Sequence, residues 1–184
     1  MTRNNLLTTL VLLGLHAIAS GQNVVLSIGS GTGTAGGSVT IPVTVASTGG
    51  AQTTGLQWTF NFTSDITGFT VAPGASTTNA GKSLSCSGNN CLAAGFNSTV
   101  IADGTVAFAT FQIAANPSSN PILIQLTNVV ATTASGTSIT SSGASGAVSL
   151  PGSAGSLGCA SSRALSFQQR CHRRVASQAN PTQC

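Results

Sequence analysis

Charge is the scarcest commodity in this sequence. Of its 184 residues, six are Lys or Arg and two are Asp, and there is no Glu and no Tyr. An average soluble domain is about 25% charged, so hydroxyls and amides must hold water here, and Ser and Thr occur 25 times each. The shortage excludes function classes. Hydrolysis generally takes two carboxylates, or a nucleophile with a base. Residues 20–150 hold Asp65 and Asp103 but no His, so an enzyme is not expected. The formal net charge of +4 suggests nucleic acid, but Arg163, Arg170, Arg173 and Arg174 crowd the last stretch and Arg3 sits at the start. Lys82 is the only base between them, whereas nucleic acid needs a basic stripe on a folded face. No nucleic-acid partner is expected.

A long hydrophobic run is missing too. The apolar run at 6–15 is about half of the ~20 residues that a membrane span needs, and Thr8, Thr9 and His16 break its character. Arg3 ahead of it and Ala17-Ile18-Ala19 behind it complete the pattern of a secretory signal peptide over 1–19. The expectation is an exported protein, secreted or at the cell surface, with no membrane span. Disorder does not follow from the composition, because disordered chains pair low hydrophobicity with high charge.

The sequence is rich instead in β-formers. Helix-favouring Glu, Lys and Arg are nearly absent, while Thr, Val and Ile suit pleated strands. The strongest single signal is Leu56-Gln57-Trp58-Thr59-Phe60-Asn61-Phe62, with large apolar residues at every second position and polar ones between. That is a strand buried on one side, and its only Trp places the indole with the core residues. Other strands are expected at 24–28, 38–45, 96–101, 105–113, 122–130 and 147–150. Gly29 to Gly37 is followed by a strand rather than a helix, which makes it a turn and not a phosphate loop. Pro42 cannot donate to a ladder, so an edge strand or a bulge is expected there. The strand at 105–113 is apolar on both parities, as a central or doubly covered strand would be. Residues 65–80 read as an irregular crossing and 141–146 as a Gly/Ser turn.

Cys86 and Cys91 bracket Ser-Gly-Asn-Asn. A local disulfide closing a hairpin or loop tip is expected on an exported chain. Zinc would need further Cys or His ligands, and the spacing is not that of a redox C-x-x-C. No metal and no cofactor are expected. Such strands bury one another best as an all-β, two-sheet β-sandwich.

The order of these motifs resembles the cohesin family. Gly37-Ser38-Val39-Thr40-Ile41-Pro42-Val43 is similar to an early cohesin strand of the form G-x-x-V-x-I-P-V. The strand at 56–62 resembles the segment that follows it, with Gly55 before and Asp65 after. Asp103-Gly104-Thr105-Val106-Ala107-Phe108-Ala109-Thr110-Phe111-Gln112-Ile113 looks like the D-G strand, and Gly146-Ala147-Val148-Ser149-Leu150 like the last one. The resemblance implies a jelly roll of about eight or nine strands over 20–150. It also implies a non-catalytic role: docking a dockerin-type protein module in extracellular polysaccharide degradation or cell-surface assembly. The alternative is a carbohydrate-binding module that contacts polysaccharide directly. Thr40, Thr44, Gln57, Thr59 and Asn61 are the possible binding face. Residues 151–184 begin as a Pro/Gly/Ser linker and continue as a basic, Cys-containing tail without periodicity, for which disorder is expected.

Overall fold

The computed structural model describes residues 21–151. Residues 1–20, with the expected signal peptide, and 152–184, with most of the expected linker and tail, lie outside the described residues. The described residues form eleven strands and one short helix: β1 (Asn23–Ile28), β2 (Gly31–Thr32), β3 (Ser38–Thr48), β4 (Gly55–Phe62), β5 (Ile66–Pro73), α1 (Ala75–Asn79), β6 (Ser83–Ser87), β7 (Asn90–Ala94), β8 (Gly104–Ile113), β9 (Ile122–Thr132), β10 (Ser138–Ala144) and β11 (Gly146–Ser149). The first sheet runs β5-β8-β3-β1-β10 and the second β6-β7-β4-β9, with β11 against β9 and β2 against β11. β10 belongs to both. It pairs parallel with β1 along Asn23↔Thr140 to Ser27↔Ala144, and antiparallel with β9 at Ser138↔Thr132 and Ile139↔Ala131. The all-β sandwich is therefore nearly closed on that side.

The alternation in β4 works as the sequence suggests. Leu56, Trp58 and Phe60 are buried, and they meet Ile41 and Val43 of β3 and Phe111 of β8 in one core. Phe60 is the hub of its aromatic part, edge-on to Trp58 at 6.3 Å, Phe69 at 5.0 Å and Phe111 at 5.5 Å between centroids. Such edge-to-face pairs add about 0.5–1.5 kcal/mol each beyond area burial.

Several local expectations change. β3 lies between β8 and β1, so Pro42 is not on an edge. Its carbonyl accepts from Gly29 N at 3.0 Å, just past the last β1 pair, Ile28↔Val43. The missing donor thus falls where the β1 ladder has ended. A bulge is indeed adjacent, since Val43 pairs Ala107 and Thr44 pairs Thr105, leaving Val106 without a partner on β3. That extra residue switches the parity of β8, so Val106 and Ala107 both point inward and Phe108 points out, 42% exposed. The double-parity apolar pattern therefore marks a bulge in a central strand, not two covered faces.

Residues 65–80 are not irregular. They form edge strand β5, paired to β8, and helix α1, whose Thr77 Oγ1 donates to Val106 O at 2.7 Å. Residues 96–101 are a loop rather than a strand. Phe96 points fully outward, while Ile101 plugs the core and its N–H donates to Thr53 O at 2.7 Å. The stretch 141–146 is mostly β10, not a turn. A side chain at Gly143 would strike the Leu126 carbonyl, and one at Gly146 the Gly29 carbonyl. Glycine is needed where this corner of the sandwich brings backbones together.

Candidate docking faces

The two outer faces of a sandwich look in opposite directions, and the five residues expected to form one face divide between them. Thr40 and Thr44 stand on β3, in the first sheet. Thr40 Oγ1 shares a 2.8 Å hydrogen bond with Thr110 Oγ1, and Thr44 Oγ1 donates to Ser27 O at 3.5 Å. Gln57, Thr59 and Asn61 stand on β4, in the second sheet, whose inward neighbours are buried. All five share the outward parity, Thr40 and Asn61 exposed and Thr44, Gln57 and Thr59 half-buried, but β3 and β4 point it to opposite sides.

The second-sheet face can be read row by row from the pairings. Ser85, Leu92, Gln57 and Val130 form one row across β6, β7, β4 and β9. Asn90, Thr59 and Thr127 form the next, and Asn61 lies opposite Gln125. Asn61 Nδ2 donates to Gln125 Oε1 at 3.2 Å, and Asn128 Nδ2 to Thr59 Oγ1 at 3.5 Å. Leu92 is 46% exposed and Val130 40%, one on each side of Gln57. Leu123, pairing Ala147 of β11, is exposed on the same sheet. These rows contain no ionisable side chain. Apolar anchors among hydroxyls and amides, depleted in charge, match the centre of a protein–protein interface.

Sequence reasoning missed Leu92 and Val130. Leu92 could have been found by extending the in-out alternation from Cys91 to Ala93. Val130 could not, because even positions of β9 (Ile122, Ile124, Leu126) face the core. Gln57 pairs Val130 but Thr59 pairs Thr127, so a bulge opposite Trp58 reverses the parity. Asn128 takes the left-handed conformation there, with φ 50°, a region that Asn tolerates better than most residues.

The first-sheet face carries an exposed apolar row of its own. Ala72, Phe108 and Pro42 form one row, and Thr70, Thr110 and Thr40 the next. A hollow of about 500 Å³ at the loops is lined by Gln22, Gln52, Thr54, Ser98, Val100 and Ser135 among others, with no aromatic or ionisable side chain. Trp58 is fully buried, so it is core and not a stacking platform for sugar.

The carboxylate of Asp65 is a structural fastening. Its Oδ1 accepts from Ser118 N at 2.7 Å and Ser118 Oγ at 3.0 Å. Its Oδ2 accepts from Ser119 N and from Thr63 Oγ1, both at 3.1 Å. The Ser118 backbone N–H contributes most, followed by the bond from Ser119, and together these donors hold its pKa down at about 2 against the opposing effect of burial. Cys86 and Cys91 are joined by a disulfide that ties the β6–β7 hairpin. Among the described residues no group of three His, Cys, Asp or Glu could hold a metal ion, and no helix is long and apolar enough to cross a membrane.

Compared by sequence, the chain matches no family model and no curated protein. Compared by structure, it is similar to the sixth cohesin of scaffoldin B from Acetivibrio cellulolyticus, solved in complex with a Cel5 dockerin. The TM-score is 0.57 at 20% identity, over 72% of this chain and 100% of that one. The fold is the cohesin fold. A non-cellulosomal cohesin from the archaeon Archaeoglobus fulgidus matches at TM-score 0.57 and 15% identity, over 72% of this chain and 94% of that one. The seventh ScaB type I cohesin of Pseudobacteroides cellulosolvens does so at 0.57 and 17%, over 73% and 94%. These likenesses cover the sandwich and bear out the cohesin-like jelly roll expected from the motif order.

Proposed function

We propose that this chain is an exported, non-catalytic docking module of the cohesin type. Its second-sheet outer face takes a dockerin-type protein module, in extracellular polysaccharide degradation or cell-surface assembly. The observation that carries this reading is the Leu92–Gln57–Val130 row, two exposed apolar side chains flanking an amide on a charge-free sheet. Support comes from the solved cohesins of the same fold, one of them holding a dockerin. Fold kinship alone is an associational warrant, and the face supplies the physical one. Export is supported by the leader at 1–19 and by the Cys86–Cys91 disulfide, since such bonds persist in oxidising compartments.

The rival, direct contact with polysaccharide, loses its strongest platform with Trp58 inside the core. Two measurements separate the readings. A displayed panel of dockerin modules from the source organism is screened for binding to the full chain, and affinity electrophoresis is run in gels containing soluble β-glucan. Docking predicts a dockerin that binds the wild type, is weakened by Leu92→Ala with Val130→Ala, and is indifferent to Phe108→Ser on the opposite face. Retardation by the glucan with no dockerin bound would reverse the choice.

A further inference from the structure

The β6–β7 hairpin has little core behind it, yet it supplies two of the four strands that carry the Leu92–Gln57–Val130 row. β6 pairs only with β7, and none of its five residues is fully buried. β7 in turn meets β4 at only four positions, from Leu56↔Ala93 to Thr59↔Asn90. Fastenings at both ends make up for that. At the turn, Cys86 and Cys91 are bonded to each other, and Cys91 lies fully buried opposite Trp58. Next to them Phe60 N donates to Asn89 O at 2.9 Å, and Asn89 Nδ2 donates to Phe60 O at 3.1 Å. At the open end, Lys82 Nζ donates to both Asn97 O and Asn97 Oδ1 at 2.8 Å. Asn97 Nδ2 donates in turn to Gly81 O at 3.0 Å.

We propose that the Cys86–Cys91 bond is a positioning device for docking, which sets the hairpin, and with it Leu92, in the bound geometry before a partner arrives. The inference rests on the docking reading above. Leu92 follows Cys91 directly in a strand, so its side chain leaves the opposite face. Whatever pins Cys91 against Trp58 therefore aims Leu92 outward, beside Gln57. An edge hairpin without the bond opens locally far more often than the sandwich as a whole. A partner then has to order it on binding, and that ordering is subtracted from the affinity. A bond that only raised overall stability would not couple to Leu92 in this way.

The test is a double-mutant cycle on the full chain, using the dockerin module that the displayed panel returns. Cys86→Ala/Cys91→Ala and Leu92→Ala are measured singly and together, with amide exchange followed strand by strand. Without the bond, β6 and β7 amides are expected to exchange at least roughly tenfold faster while those of β3 and β8 keep their protection. The dockerin dissociation constant is expected to rise by roughly tenfold, and Leu92→Ala to weaken the cysteine-free chain less than the wild type. If exchange accelerates throughout, Cys86→Ala/Cys91→Val, which keeps apolar volume at the buried position without the bond, replaces the first variant. Unchanged hairpin exchange, or strictly additive losses, overturns the proposal. A wild type that binds no dockerin overturns the docking reading and this inference with it. A wild type that needs Leu92 but tolerates the cysteine-free variant overturns this inference alone.

Discussion

Cys91 on β7 lies directly across the ladder from Trp58 on β4, and both are fully buried. The disulfide and the largest side chain of the core thus share one spot, where the hairpin meets the body of the second sheet. Core stability and presentation of the exposed row at Leu92 are linked there.

Trp58 should report a dry interior. Its emission should be blue-shifted and poorly quenched by iodide, and addition of insoluble polysaccharide should leave it unchanged. Trp58→Ala should cost about 3–5 kcal/mol, the usual range for truncating an aromatic in a core, read from denaturant midpoints. A variant of undiminished stability with red-shifted wild-type emission would place the indole on the surface.

Peptide mapping without reduction should recover Cys86 linked to Cys91. Replacing both with Ala should lower stability by about 2 kcal/mol, since the closed loop is short and the entropic gain grows with loop length. Free thiols in the purified protein would remove the basis of the hairpin proposal.

Acid should weaken the domain through Asp65. Its folded-state pKa is lowered to about 2 from an ordinary 3.8, so the folded protein binds that proton later than the unfolded chain does. The stabilisation is therefore present in full above about pH 4 and is lost as the pH falls through about 2. Melting temperatures measured from pH 5 to pH 2 should fall, and Asp65→Asn should start lower and give a shallower slope. Equal slopes in the two proteins would mean that another group carries the acid sensitivity.

Leu92→Ala and Val130→Ala should separate docking from folding. Both side chains are 40% or more exposed, so each change should move stability by less than about 1 kcal/mol. If either is an interface anchor, its loss should weaken the partner about tenfold or more, as hot-spot truncations do. Calorimetric titration of the two variants against the selected dockerin distinguishes an anchor from a bystander.

Alternation, cysteine spacing and composition determined a good deal of this protein. A period of two in 56–62 is enough to assign Trp58 and Phe60 to the core, because successive strand side chains must take opposite faces. Four residues between two cysteines on a β-rich chain are enough to expect a hairpin bond. Scarce carboxylates and bases are enough to make hydrolysis and nucleic-acid binding unexpected. Only the tertiary structure decided which sheet each strand joined. Alternation separates inside from outside but not one outside from the other, so Thr40 and Thr44 parted company with Gln57, Thr59 and Asn61. Ladder partners distant in the chain make that choice. Register was also decided in three dimensions. One extra residue at Val106 and another opposite Trp58 reversed the parity of β8 and β9, which turned Phe108 and Val130 outward against the local pattern. A bulge adds a single residue to one strand relative to its partner, so neither strand's own sequence contains it.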